Sequence, residues 1–104
     1  MNEAMRLSDV VSYHTDGEVA VIISNNPPVN ALGIAVREGI TAGVAKAVAD
    51  DAVKAIALVC EGRTFFAGAD ITEFGKPPKL PHLRDVHDTM EGCSKPIVCG
   101  IYGT

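Results

Sequence analysis

Phe65-Phe66-Ala67-Gly68-Ala69-Asp70-Ile71, standing just beyond the apolar run Lys54 to Cys60, is the stretch whose reading decides the fold. The run from Lys54 is short, apolar and flanked by turn-forming residues, which predicts a buried β-strand. Thr64 to Asp70 then reads as a loop of small residues that opens into a short helical stretch, Ile71 to Phe74. Backbone N–H groups at a helix start have no intrahelical acceptor, so they can point at an anion or a polarised carbonyl. Gly68 and Ala69 leave space for a ligand to approach the main chain, and such a place can stabilise an oxyanion. Spacing alone favours the plainer account, a strand-to-helix connection with Asp70 as N-cap.

Upstream of this stretch, Val10 to Thr15 and Glu18 to Ser24 are β-rich runs separated by Asp16-Gly17. Asp-Gly supplies the positive φ angles of a tight turn, so the pair reads as an antiparallel hairpin. Asn25, Asn26, Pro27 and Pro28 break the pattern, and Pro28 sends the chain out of the sheet in extended form. Asn30 is the expected N-cap of a helix running to about Asp50. Val36, Ile40, Val44, Ala47 and Val48 recur at helical spacing as one apolar stripe. Gly39 and Gly43, four apart, are poor helix formers whose bare Cα atoms admit a close neighbour.

Downstream, the prolines at 77, 78 and 81 exclude helix over Gly75 to Pro81. A second helix is expected over Leu83 to Gly92 and a last strand over Ile97 to Tyr102. The order strand, strand, helix, strand, loop, helix, strand is an α/β pattern with mixed pairing. An apolar strand at the end of a chain needs a neighbour and a cover, so residues 1–104 read as one incomplete, truncated domain.

Composition narrows the function classes. The 104 residues are 47% hydrophobic and 5% aromatic with no Trp, so Val, Ile and Ala carry the burial. A net charge of −4 argues against a nucleic-acid scaffold, which shows a basic stripe. No run reaches membrane-spanning length, and Met1 to Asp9 lacks the apolar core of a signal peptide, so a cytoplasmic protein is expected. Cys60, Cys93 and Cys99 form no CxxC pair; Cys60 and Cys99 lie in apolar runs and read as buried, inert thiols of a reducing compartment.

Other chemistry-bearing residues have plain readings. Asp70 and Glu73 are three apart and fit an acid–base pair, yet two carboxylates near a helix start more often complement its dipole. The stretch Gly68 to Gly75-Lys76 is too long for a phosphate loop and carries Pro77 where Ser or Thr belongs. His82 and His87 are five apart, not a same-face interval, so no metal site is expected. His14 has no evident partner, and Lys76 and Lys79 read as solvated loop lysines.

Taken together, three segments resemble the crotonase (enoyl-CoA hydratase/isomerase) superfamily. Asn26-Pro-Pro-Val-Asn-Ala-Leu32 is similar to the family's segment between its second strand and first helix. Lys54 to Cys60 with Phe66-Ala-Gly-Ala-Asp-Ile71 resembles its most recognisable motif, and Lys95-Pro-Ile-Val-Cys-Gly-Ile-Tyr-Gly103 the strand leading into its glycine-rich second loop. The wording Asn-Pro-Pro-Val-Asn-Ala is most similar to hydratase/isomerase modules that begin multifunctional β-oxidation enzymes.

The resemblance implies the N-terminal part of a spiral of ββα units and an acyl-CoA thioester as ligand, coenzyme A being part of the substrate and no resident cofactor or metal being needed. It implies that the Ala69 N–H is one of two oxyanion-hole donors, with Ala67, Gly68, Asp70 and Ile71 lining the pantetheine and acyl path and Val29 and Ala31 nearby. It implies hydration of a trans-2-enoyl-CoA in fatty-acid β-oxidation, with isomerase activity, thioester hydrolysis or decarboxylation as family alternatives. Family glutamates position water and shuttle a proton, but Glu61, Glu73 and Glu91 do not occupy matching positions, so this chain alone is expected to be inactive. Two readings of other classes stay open: a non-catalytic acyl-CoA-binding module, and a fragment that self-associates through exposed edges. Family members form trimers or pairs of trimers, and the multifunctional type can be monomeric.

Overall fold

The structure, a computed structural model, describes residues 5–8, 10–26, 32–61 and 83–100 of the chain. Five strands form one sheet in sequence order: β1 (Met5–Arg6), β2 (Val11–Asp16), β3 (Val19–Ser24), β4 (Ala55–Cys60) and β5 (Ile97–Gly100). Helix α1 (Ile34–Ala49) connects β3 to β4, and α2 (Leu83–Glu91) precedes β5. β1, β2 and β3 pair antiparallel, whereas β3, β4 and β5 run parallel. The α/β class and the mixed pairing are therefore as expected, and β2, β3 and α1 form one ββα unit.

The hairpin closes one position later than the Asp-Gly reading placed it. Asp16 pairs with Val19, and the turn residues are Gly17 and Glu18. Gly17 sits at φ 62, a conformation that glycine adopts without the Cβ clash other residues meet.

One sheet face is the core. Val11 and Tyr13 of β2, Ala20 and Ile22 of β3, and Ile56 and Leu58 of β4 are buried there, and the register aligns them in rows across the strands. α1 covers this face with Val36, Ile40, Val44 and Ala47, and α2 lies beside α1 with Val86 buried in the same cluster. Full burial of a Val or Ile side chain stabilises by roughly 1.5–3 kcal/mol, so this stripe is a main source of cohesion. Val48, the fifth member of the expected stripe, is instead exposed. Gly39 and Gly43 face the sheet: a Cβ at Gly39 would overlap the Val11 Cβ and stand 2.9 Å from Ser8 Oγ, and one at Gly43 would stand 2.8 Å from Ile22 Cδ1. The close neighbour that the two glycines admit is the sheet itself.

Three further expectations need correction. The helix starts at Ile34, with Gly33 rather than Asn30 as N-cap; Asn30 lies outside the described residues. Gly33 has extended backbone and no side chain to cap with; the first turn is closed by Arg37 N–H to the Gly33 carbonyl at 2.9 Å, while the Arg37 guanidinium reaches back to the Leu32 carbonyl at 2.7 Å. The run beginning at Lys54 is buried on one face only: Ile56, Leu58 and Cys60 point inward and Ala55, Ala57 and Val59 are half-buried. Cys60 is buried as expected, but Cys99 is exposed, because among the described residues β5 lies at the end of the sheet with β4 as its one neighbour. The strand β1 had no counterpart in the sequence reading, since two residues carry no periodicity; it pairs Met5 with Tyr13 and Arg6 with Ser12. No described helix is long and apolar enough to cross a membrane.

Candidate active site

Parallel pairing puts the carboxyl ends of β3 and β4 at the same edge of the sheet. Ser24 stands opposite Cys60, and the Glu61 N–H donates to the Ser24 carbonyl at 2.7 Å, so the two strands remain bonded to their last residues. On the other side Asn25 N–H donates to the Val10 carbonyl at 2.7 Å, tying the exit of β3 to β2. Both peptide stretches that the sequence singles out leave from this edge: the one beginning at Asn26 follows β3, and the one ending at Ile71 follows β4. In open α/β sheets, ligands bind outside the carboxyl ends of the strands, so this is where a site belongs.

Val29, Ala31, Ala67, Gly68, Ala69, Asp70 and Ile71, the residues carried by the family resemblance, lie outside the described residues, as do Glu73, Lys76, Lys79 and His82. What the described residues fix is the frame from which both segments depart. Ser24 is fully buried at the end of β3, and Cys60 is buried beside it, so neither strand end is free to shift without disturbing the core. His14 is half-buried on β2, on the face opposite α1. Among the described residues no group of three His, Cys, Asp or Glu side chains is close enough to hold a metal ion.

One feature of this edge has no signal in the sequence. A cleft of about 140 Å³ opens between β1, β2 and the ends of β3 and β4, and Arg6, Ser8, Ser12, Asn25 and Glu61 bring polar groups to it. These residues are scattered over more than half the chain, and only the sheet gathers them. Ser8 also fixes the bend before β2, its Oγ accepting from the Val10 N–H at 3.4 Å. The cleft combines one cation and one anion with neutral hydrogen-bonding groups.

Away from the edge, the Tyr13 hydroxyl is raised above its ordinary value of 10.0, first by burial and second by the charge of Asp50. Lys46 places its ammonium 5.5 Å from the centroid of the Tyr13 ring.

Comparison with known proteins agrees with the family wording. No family model matches the chain. It is 42% identical over 85 residues to the peroxisomal bifunctional enzyme of Danio rerio, covering 82% of this chain and 12% of that protein. It is 33% identical over 102 residues to the "Probable enoyl-CoA hydratase" of Bacillus subtilis, covering 91% of this chain and 40% of that one. The chain thus spans well under half the length of the curated relatives it matches. Among solved structures, an enoyl-CoA hydratase/carnithine racemase from Magnetospirillum magneticum superposes with a TM-score of 0.83 at 25% identity, over 96% of this chain and 40% of that one. An enoyl-CoA hydratase/isomerase from Pseudoalteromonas atlantica, at 22% identity and a TM-score of 0.78, shares the fold. The chain belongs to the crotonase (enoyl-CoA hydratase/isomerase) superfamily, of which it carries the N-terminal portion.

Proposed function

We propose that the chain forms the first oxyanion-donor half of a unit acting on acyl-CoA thioesters, with hydration of a trans-2-enoyl-CoA as the reaction. The observation that carries this reading is the paired exit of β3 and β4, bonded from Glu61 N–H to the Ser24 carbonyl at 2.7 Å. It starts the segments containing Val29-Asn30-Ala31 and Ala67-Gly68-Ala69-Asp70 side by side. In this proposal the Ala69 N–H donates to the thioester carbonyl oxygen, and Ala67, Gly68, Asp70, Ile71, Val29 and Ala31 line the path of pantetheine and acyl chain. Drawing electron density onto that oxygen makes the β-carbon electrophilic. Water oxygen then bonds to the β-carbon and gives up a proton, and a proton goes to the α-carbon. The enolate-like charge between the two events rests on the thioester oxygen, where the Ala69 N–H stabilises it.

The proton work needs carboxylates, and none in this chain matches the family positions, so the proposal assigns no general acid or base to it. Isomerisation, hydrolysis and decarboxylation of related thioesters share the same first donor. The two substrate-facing segments are also compatible with a module that binds acyl-CoA without turning it over. Cytoplasmic residence remains part of the proposal; several relatives carry peroxisomal or glyoxysomal names. The test is hydration of crotonyl-CoA, followed by loss of the conjugated-thioester absorbance. No turnover by the 104-residue chain is the expected result. Clear turnover would assign the proton work to Asp70, Glu73 or another carboxylate here and overturn the division of labour.

A second reading rests on β5. Val98 is 64% exposed on β5, which among the described residues lies at the end of the sheet with β4 as its one neighbour. Such an edge invites strand addition by a second copy. Gel filtration across a concentration series tests it: an apparent mass that grows with concentration supports self-association, and a constant monomer mass rejects it.

A further inference from the structure

Four hydrogen bonds converge on the short segment that leads from α2 into β5. Lys95 Nζ donates to the carbonyls of Ala47 and Asp50, both at 2.7 Å, reaching residues 48 and 45 positions earlier in the chain. The Lys95 backbone N–H donates to Cys93 Sγ at 3.5 Å. The Pro96 carbonyl accepts from Ile56 N–H at 2.9 Å, the rung that sets Ile56 opposite Ile97. The Ala47 and Asp50 carbonyls each also accept one backbone N–H, from Asp50 to Ala47 at 3.3 Å and from Val53 to Asp50 at 3.0 Å. The ammonium therefore takes the second lone pair of each in a charge-assisted hydrogen bond, and at Ala47 it also meets the negative end of the helix dipole. Lys46, the cation in the last turn of α1 itself, stands over the Tyr13 ring. The clamp on the end of α1 comes from the segment before β5.

β5 has need of such an anchor. It has four residues, is bonded among the described residues to β4 alone, and leaves Val98 and Cys99 exposed. Half-buried Ile97, packed against the core, is thus the one large side chain of β5 whose burial helps fix its register. A slip of one residue would exchange its faces and move Gly100 from its place beside Val59. We propose that Lys95 is a positioning residue: by clamping the end of α1 it fixes where β5 begins, and so which β5 residue stands beside the end of β4, from which the segment carrying Ala69 departs. The tie to a thioester rests on the proposed function above; the clamp itself does not.

The experiment is residue-resolved amide hydrogen exchange on the full chain, unsubstituted and as Lys95→Met and Lys95→Arg, with crotonyl-CoA retention measured on the same samples. Lys95→Met is expected to speed exchange of the Ile97–Gly100 amides by roughly tenfold to a hundredfold, the loss of hydrogen bonds to a charged group. The Val11–Asp16 and Val19–Ser24 amides should keep their rates, and Lys95→Arg should restore most of the β5 protection. Equal acceleration in all strands would show a merely structural loss and overturn the proposal, and so would unchanged β5 exchange. If Lys95→Met does not fold, failure of Lys95→Arg to keep β5 at the unsubstituted rate decides against it as well. If the unsubstituted chain retains no crotonyl-CoA, the thioester reading fails while the exchange pattern still decides the clamp.

Discussion

Replacing Gly39 by Ala sets two effects of known size against each other. In an exposed helix interior, Gly→Ala gains about 1 kcal/mol, because alanine loses less conformational freedom on folding. At Gly39 the new methyl would overlap Val11 Cβ and stand 2.5 Å from Val11 Cγ2 and 2.9 Å from Ser8 Oγ, where ordinary contact begins at 3.4 Å. Val11 is β-branched and buried in β2, so its Cβ cannot swing aside. α1 must lift from the sheet by about 1 Å, which forfeits a quarter to a half of the dispersion energy of the contacts it opens. Overpacking costs about 1–3 kcal/mol, and overlap with an immobile Cβ belongs in the upper part of that range, so after the gain of about 1 kcal/mol the net expectation is a loss of about 1–2 kcal/mol. Gly43 is the control. Its added methyl would meet Ile22 Cδ1 at 2.8 Å, Ile22 Cγ1 at 3.0 Å and Leu7 Cδ1 at 3.1 Å, atoms beyond Cβ that yield by a small rotation more readily than the Val11 Cβ. Gly43→Ala should stay within about 0.5 kcal/mol of the unsubstituted chain. Thermal unfolding followed by far-UV circular dichroism reads both, with a fall in Tm of roughly 5–15 °C expected for Gly39→Ala. A Gly39→Ala chain as stable as the parent would refute the reasoning, since helix propensity would then outweigh the contact with Val11.

Three further outcomes follow from particular side chains. Among the described residues the buried Tyr13 hydroxyl has no hydrogen-bond partner, so Tyr13→Phe should be neutral or stabilising by up to about 1 kcal/mol at pH 7. The folded chain holds the Tyr13 proton more tightly than the unfolded chain, so above pH 10.0 the parent loses stability relative to Tyr13→Phe; denaturation midpoints that run parallel from pH 8 to 11 would contradict the burial of this group. In native conditions a maleimide should label exposed Cys99 first and half-buried Cys93 more slowly, leaving buried Cys60 until the chain unfolds, and early labelling of Cys60 by peptide mapping would count against the register of β4. Val98→Lys places a charge on the exposed edge of β5 and should abolish any concentration-dependent association without loss of stability.

The sequence carried most of the sheet and little of its edges. Two β-rich runs around Asp16-Gly17 were enough for the hairpin, and the spacing of Val36, Ile40, Val44 and Ala47 for the buried stripe of α1, because these signals are local in the chain. Asn30 misled as a helix start because a strong capping side chain is a local signal. The actual start depends on Arg37 folding back over Leu32, a contact that spacing does not encode. Cys99 reads as buried in an apolar run, yet exposure depends on which strand lies at the edge, a property of the whole sheet. The polar cleft of Arg6, Asn25 and Glu61 and the reach of Lys95 to Ala47 were illegible for the same reason. The family was legible in its wording, whereas the candidate site residues lie outside the described residues; that β3 and β4 end side by side came from the parallel register.

The most direct test of the central claim is equilibrium binding of crotonyl-CoA to the chain and to Ala69→Pro, read from the ultraviolet absorbance of the conjugated thioester. A backbone donor polarising the carbonyl predicts a saturable red shift with the unsubstituted chain, stable over time, that is lost in Ala69→Pro because proline has no N–H to give. The same shift in both chains, or no shift in either, would contradict an oxyanion donor at Ala69.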